Sequence, residues 1–221
     1  MLALMLLAPA PSLGVFCAMI WPGDVIGHWV FILCKVWLVA LPTVWWWHVE
    51  AGRPRFFRPR LRPVLVGALL GTLMGAAILI SYGLGFASRI DPTALREAVH
   101  AMGLSRPLPF AAATLYWSLL NSAVEEYVYR WFLLRQLDLV VSKVPAAVIA
   151  ASVFTAHHVI AMWVYLPPGF LALASSGVFV GGLIWALLFQ RYRSVWSCWI
   201  SHMLVDIAVF AVGWGMLFGQ G

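Results

Sequence analysis

Charge is what this sequence has least of: only 10% of its 221 residues are charged, while 63% are hydrophobic. A soluble domain carries roughly 25% charged residues. With a mean hydropathy of +0.93, the apolar surplus cannot all be hidden in one core, so lipid must cover much of it. That excludes a water-soluble enzyme or binding module. Cysteine is scarce too. Cys17, Cys34 and Cys198 lie in separate apolar stretches without paired spacing, which argues against a disulfide framework and a cysteine-based zinc site. The opening MLALMLLAPAPSLG lacks the basic region of a secretory signal, and GVFC does not match a lipoprotein cleavage box. It reads as a first membrane helix, bent or shifted in its start by Pro9 and Pro11. No internal repeat, low-complexity segment or HExxH motif is present.

The net charge of +6 is concentrated rather than spread. Arg53, Arg55, Arg58, Arg60 and Arg62 share one stretch, EAGRPRFFRPRLR, with Phe56 and Phe57 interleaved. A basic run between two apolar spans marks a cytoplasmic loop that touches anionic headgroups. It is not a nucleic-acid footprint, because no room is left for a nucleic-acid-binding module.

Apolar runs of about 20 residues, marked off by polar punctuation, predict seven spans. They cover 1–21, 25–48, 63–87, 108–133, 144–166, 169–190 and 195–218. The expected fold is all-α, a polytopic transmembrane helical bundle forming a single domain over 1–221. A cytoplasmic 49–62 loop puts 134–143 and 191–193 on the same side, together with the N-terminus. Pro22 to Asp24, the 88–107 segment and the LPPG turn then face outward. Trp45, Trp46 and Trp47 fall near the cytoplasmic interface, as an aromatic belt should. The segment SRIDPTALREAVHAMGLSRP predicts a short amphipathic helix after Asp91.

Inside the spans, ionisable residues reduce to His28, Lys35, Glu125, Glu126, Arg130, His157, His158, His202 and Asp206. Each costs roughly 2.5–3.5 kcal/mol at a helix centre, so each is a functional hypothesis until a partner explains it. Snorkelling or an interhelical hydrogen bond accounts for His28 and Lys35. Glu126 and Arg130 are four residues apart and meet on one helix face as a salt bridge. Glu125 points about 100° away from Glu126, so the same arginine does not serve both. The unexplained carboxylate has three candidate partners: His157 and His158 in FTAHH, and the i, i+4 pair His202 and Asp206. At about 1.5 Å per residue, Glu125, His158 and His202 lie roughly 13, 20 and 10 Å deep, one layer within the boundary error.

A carboxylate beside a neutral imidazole can hold a water and take its proton as that water attacks a carbonyl, while a second histidine donates to the oxyanion. Ser122, Ser152, Ser201 and Cys198 are near in sequence, but none stands at an evident nucleophile position. Zinc remains an alternative, since Glu with two His is a catalytic ligand set, although here the ligands come from three helices. A proton-coupled transporter or an immunity factor is the non-enzymatic alternative, because buried Glu, His and Asp also build proton relays. The missing inverted repeat argues against transport.

Three motifs in order, EExxxR (Glu125, Glu126, Arg130), FxxxH (Phe154 to His158) and HxxxD (His202 to Asp206), resemble the CPBP family. This is the CAAX-protease and bacteriocin-processing group, also called Abi, of intramembrane glutamic proteases that include the Rce1-type CAAX endopeptidases. The likeness covers about 108–210, the implied catalytic core, and leaves the spans in 1–87 accessory. It implies that Glu125 activates water, that His158 shares that water and that His202 is the oxyanion donor, assisted by Asp206. Related CAAX-cleaving enzymes carry Asn at that last position. An ionised Asp cannot donate, so Asp206 is expected to orient His202 or to be protonated. Glu126, Arg130, Phe154 and His157 are expected to support the site. Because adjacent helical residues point about 100° apart, only one of His157 and His158 is expected to face Glu125, and the family spacing selects His158.

The implied activity is metal-independent hydrolysis of a membrane-associated protein or peptide, with no cofactor, no nucleic-acid partner and the bilayer as surroundings. Prenylated CAAX proteins, leader peptides and sorting tails are the open substrate classes. The tryptophan content and apolar character point to a bacterial inner membrane, which disfavours CAAX substrates.

Overall fold

The computed structural model describes residues 2–20, 24–50, 59–86, 93–164 and 166–219. Among these, every regular element is helical. In chain order they are α1 (Leu2–Leu7), α2 (Pro9–Ile20), α3 (Val25–His48), α4 (Leu61–Ser81) with a π-helical continuation at Tyr82–Phe86, and α5 (Thr93–Ala101). A composite helix follows: α6 (Pro107–Leu115), a π segment (Tyr116–Asn121), α7 (Ser122–Glu126), a second π segment (Tyr127–Leu134) and α8 (Arg135–Leu137). The last three are α9 (Lys143–Trp163), α10 (Pro168–Tyr192) and α11 (Val195–Phe218).

Six stretches are long and apolar enough to cross a bilayer: Leu2–Ile20, Val25–His48, Leu61–Leu84, Lys143–Trp163, Pro168–Tyr192 and Val195–Phe218. The composite helix occupies the place of the remaining expected span, 108–133. The chain is therefore an all-α, polytopic integral membrane protein. Helices α3 and α11 have the expected bounds, and the other spans differ by one to three residues. The first span breaks at Ala8, before Pro9, whose missing N–H cannot continue the hydrogen-bond ladder. The short helix expected after Asp91 is α5, whose Arg96 donates to the Met216 carbonyl oxygen at 3.2 Å. Arg53, Arg55, Phe56, Phe57, Arg58, the first residues of WPGD (21–23), and Arg89 and Asp91 lie outside the described residues.

The chain separates into two compact units, Met1–Arg58 with Glu125–Val195, and Pro59–Val124 with Trp196–Gly221. The second unit is built around small residues. On α4, Pro63, Gly67, Gly71 and Gly75 are buried, while Leu65, Leu69 and Leu73 are exposed. This reverses the pattern of a soluble helix, and it is what lipid allows: leucine faces the hydrocarbon and glycine lets backbones approach. A Cβ added at Gly67 would overlap the Ser197 carbonyl oxygen, and one at Gly71 would lie 2.7 Å from the Ser201 oxygen. At Gly75 it would lie 3.2 Å from the Ala208 Cβ. The run VLVGALLGTLMG is thus a small-residue seam against α11. Farther along α11, Phe110 packs edge-on against Phe210, Trp214 and Phe218.

The first unit follows the same rule. Helix α9 buries Ala146, Ala147, Ala150 and Ala151, and α10 buries Gly181 and Gly182. At one end of this unit the polar groups gather. Arg135 and Gln136 bind Glu50, Arg193 reaches Asp138 at 3.1 Å, and Gln190 donates to Asp138 at 2.8 Å and to the Lys143 carbonyl at 2.9 Å. Glu50, the 134–143 turn and Arg193 come from the three segments that charge counting assigns to one membrane side.

Candidate active site

The composite helix carries EExxxR at its most irregular part. Two π segments bracket the five residues Ser122–Glu126. Ser122 N–H bonds the Trp117 carbonyl five residues back, the signature of the wider π turn. Such turns insert an extra residue into a helical register, and they cluster at functional sites because they re-aim the side chains that follow.

Glu126 and Arg130 behave as their spacing predicts. The Arg130 Nη1 lies 3.2 Å from Glu126 Oε1, and both side chains are essentially inaccessible at 2% and 0%. The guanidinium sits over the rings of Phe154, Trp185 and Tyr129, with its carbon 4.6, 5.1 and 5.9 Å from their centroids. Its other terminal nitrogen donates to the Gly182 carbonyl at 3.4 Å. A side chain at 182 would press on Phe154, since a Cβ there would lie 3.2 Å from the Phe154 Cδ1. The arginine is therefore enclosed by three aromatic faces, one carboxylate and one backbone oxygen. A buried cation persists in low dielectric only with such pairing.

Glu125, one residue earlier, turns to α9. Its Oε1 lies 3.7 Å from His157 Nε2, and both residues are buried. Glu125, His157 and His158 each present one potential ligand atom, and these atoms all lie within 4.8 Å of one another. The two imidazoles are 4.1 Å apart between centroids. The expectation that only one of the neighbouring histidines could face Glu125 is therefore wrong. The angle between neighbours fixes where the Cβ atoms point, not where the rings end. The His158 ring folds back so that its Nδ1 lies 3.0 Å from the Phe154 carbonyl oxygen, which brings it beside His157.

That contact also settles a tautomer. A carbonyl can only accept, so His158 Nδ1 carries a proton, and in the neutral ring the lone pair is on Nε2. On His157, Nδ1 meets the Tyr129 hydroxyl at 2.9 Å, and the phenol ring lies nearly parallel to the imidazole, 5.5 Å away. Phe154 packs on both histidines, 5.4 and 4.5 Å between centroids. Tyr129 was not among the expected site residues. It stands four residues after Glu125, the same spacing that links Glu126 to Arg130, and that spacing is the signal that identifies it.

The second histidine–carboxylate pair is also formed. His202 Nε2 and Asp206 Oδ1 are 3.6 Å apart on α11 of the other unit, with His202 buried and Asp206 partly exposed. Lys35 lies over the Phe31 ring of its own helix, 5.6 Å from the centroid. His28 is exposed.

Chemically, the first unit offers a buried carboxylate facing two imidazoles, beside a second carboxylate already committed to an arginine. This arrangement can polarise a water or hold a metal ion. The chain matches no curated protein and no solved structure. Residues 107–208, which contain EExxxR, FxxxH and HxxxD, match the sequence model of the Rce1-like family, described as type II CAAX prenyl endopeptidase Rce1-like, and over these residues the chain is similar to that family.

Proposed function

We propose that the chain is an intramembrane endopeptidase that hydrolyses a peptide bond of a membrane-associated protein or peptide with a glutamate-activated water. The observation that carries this reading is the buried Glu125 carboxylate with two imidazole nitrogens within 4.8 Å. In this mechanism a water lies between Glu125 and His158, whose ring is held by the Nδ1–H bond to the Phe154 carbonyl. Glu125 takes a proton as the water oxygen attacks the carbonyl carbon. The tetrahedral intermediate then collapses, the C–N bond breaks, and the proton on Glu125 passes to the departing amine.

His202, which the resemblance assigns as the oxyanion donor, stands 3.6 Å from Asp206, and Asp206 orients that imidazole. Glu126 and Arg130 fix the helix so that Glu125 keeps its aim at α9. Phe154 holds both histidine rings by packing, and the π segments on either side of Ser122–Glu126 set the angle at which Glu125 leaves the helix. The substrate is a leader peptide or a C-terminal sorting tail of a bacterial inner-membrane client. Prenylated CAAX substrates, after which the family is described, are the competing class.

The test is cleavage of a set of membrane-anchored peptides by purified protein in liposomes, with and without chelator. The set spans prenylated CAAX, leader and sorting-tail sequences. Cleavage that ignores the chelator and falls at least a hundredfold in His158→Gln is the expected result. Cleavage abolished by chelator and restored by zinc would overturn the metal-free mechanism.

A further inference from the structure

Glu125, His157 and His158 satisfy a second chemistry besides water activation. In a tetrahedral zinc site with bonds of about 2.0–2.1 Å, ligand atoms stand roughly 3.3 Å apart. The Glu125 Oε1 to His157 Nε2 distance is 3.7 Å, and all three ligand atoms fall within 4.8 Å, so small side-chain rotations bring them onto one ion. The outer shell is in place as well. Metal-bound histidines are held by a hydrogen bond at the other ring nitrogen. His158 Nδ1 donates to the Phe154 carbonyl, and His157 Nδ1 shares a hydrogen bond with the Tyr129 hydroxyl, which accepts from it when Nε2 binds an ion. With Nδ1 engaged on each ring, coordination falls to Nε2, which on His157 is already 3.7 Å from Glu125 Oε1.

An ion bound here would not simply assist hydrolysis. With Glu125 on the metal, the neighbouring Glu126 is already bound to Arg130. Glu50 and Asp138 of the same unit are engaged with Arg135 and Arg193 at its polar end, and Asp24 is exposed at the start of α3. Glu125 is the carboxylate that faces both histidines, and bound to the ion it no longer takes the proton of an attacking water.

We propose that Glu125, His157 and His158 form a three-ligand site for a divalent transition metal of the zinc class, and that its occupation inhibits the protease by withdrawing Glu125 from water activation. This rests on the reading of Glu125 as the base. His157 is the residue that turns a glutamate–histidine pair into a metal site.

The experiment uses full-length protein purified without a histidine tag and titrated with Co²⁺ alone, followed by its visible ligand-field absorption. Wild type is expected to bind one Co²⁺ in a tetrahedral environment, displaced by Zn²⁺. His157→Gln is expected to weaken this at least tenfold. In the cleavage assay, Zn²⁺ should inhibit wild type in step with occupancy, with the curve for His157→Gln, scaled to its own activity, moved to at least tenfold higher zinc. Absence of a Co²⁺ band in wild type that cleaves peptide would overturn the proposal, as would equal binding by His157→Gln or activation by Zn²⁺. If His157→Gln does not fold, His158→Gln and the metal-induced rise in the wild-type unfolding temperature decide instead. The Co²⁺ readout needs no activity, so the two readings fail separately. Cleavage surviving in Glu125→Gln removes the protease reading, whereas a missing band beside Glu125-dependent cleavage removes only the metal site.

Discussion

Glu125 and Glu126 are chain neighbours in the same five-residue helical segment, yet they face opposite situations. Glu126 meets a buried guanidinium at 3.2 Å within a shell of aromatic rings. Glu125 meets two imidazoles, whose proton positions can be rearranged. The difference teaches how an intramembrane site is built. One carboxylate balances the charge of the arginine and locks the helix, and its neighbour keeps partners that can exchange protons. Low dielectric makes both arrangements costly to disturb, but for different reasons. Removing Glu126 strands a cation, whereas removing the charge of Glu125 leaves a neutral side chain beside two imidazoles.

That contrast can be broken from either side. The largest stability change belongs to Glu126→Gln, which leaves Arg130 buried without its counter-ion and is expected to cost about 3–5 kcal/mol. Unfolding in detergent followed by circular dichroism measures it, and adding Arg130→Met should recover most of the loss, because no unpaired charge then remains. Tyr129→Phe comes next. It removes the hydroxyl on His157 Nδ1 while keeping the stacked ring, so a stability loss of about 1 kcal/mol is expected. Cleavage should fall by about tenfold in kcat, with KM unchanged, because an orienting bond is lost and no substrate contact is. Gly182→Ala is the smallest. Its Cβ would press on Phe154 at 3.2 Å, and a loss of about 1 kcal/mol or less is expected in the same unfolding assay. It sharpens the comparison by disturbing the arginine enclosure without touching either glutamate.

Much of this was legible in the residue order. Span positions follow from apolar runs of bilayer length, and the Glu126–Arg130 pair follows from i, i+4 spacing. The meeting of Glu50, Arg135, Asp138 and Arg193 at one end follows from the alternation of loops between membrane sides. The glycine seam of α4 stands in the sequence as GxxxGxxxG, a mark of close helix contact that a count of apolar spans passes over. The π segments were not, because an i to i+5 hydrogen bond has no residue signature of its own. Nor was the arrangement of the paired histidines. It depends on ring rotation, decided by the Phe154 carbonyl and the Tyr129 hydroxyl, and helical angles carry no information about either.

The most direct measurement is Glu125→Gln in parallel with wild type, assayed for cleavage of a membrane-anchored peptide and for unfolding temperature in the same preparation. The account predicts cleavage lowered by at least a hundredfold with an unfolding temperature equal to or above that of wild type, since a buried anion is replaced by a neutral amide of the same shape. Cleavage at or near the wild-type rate would contradict it, because the carboxylate assigned to water would then be dispensable.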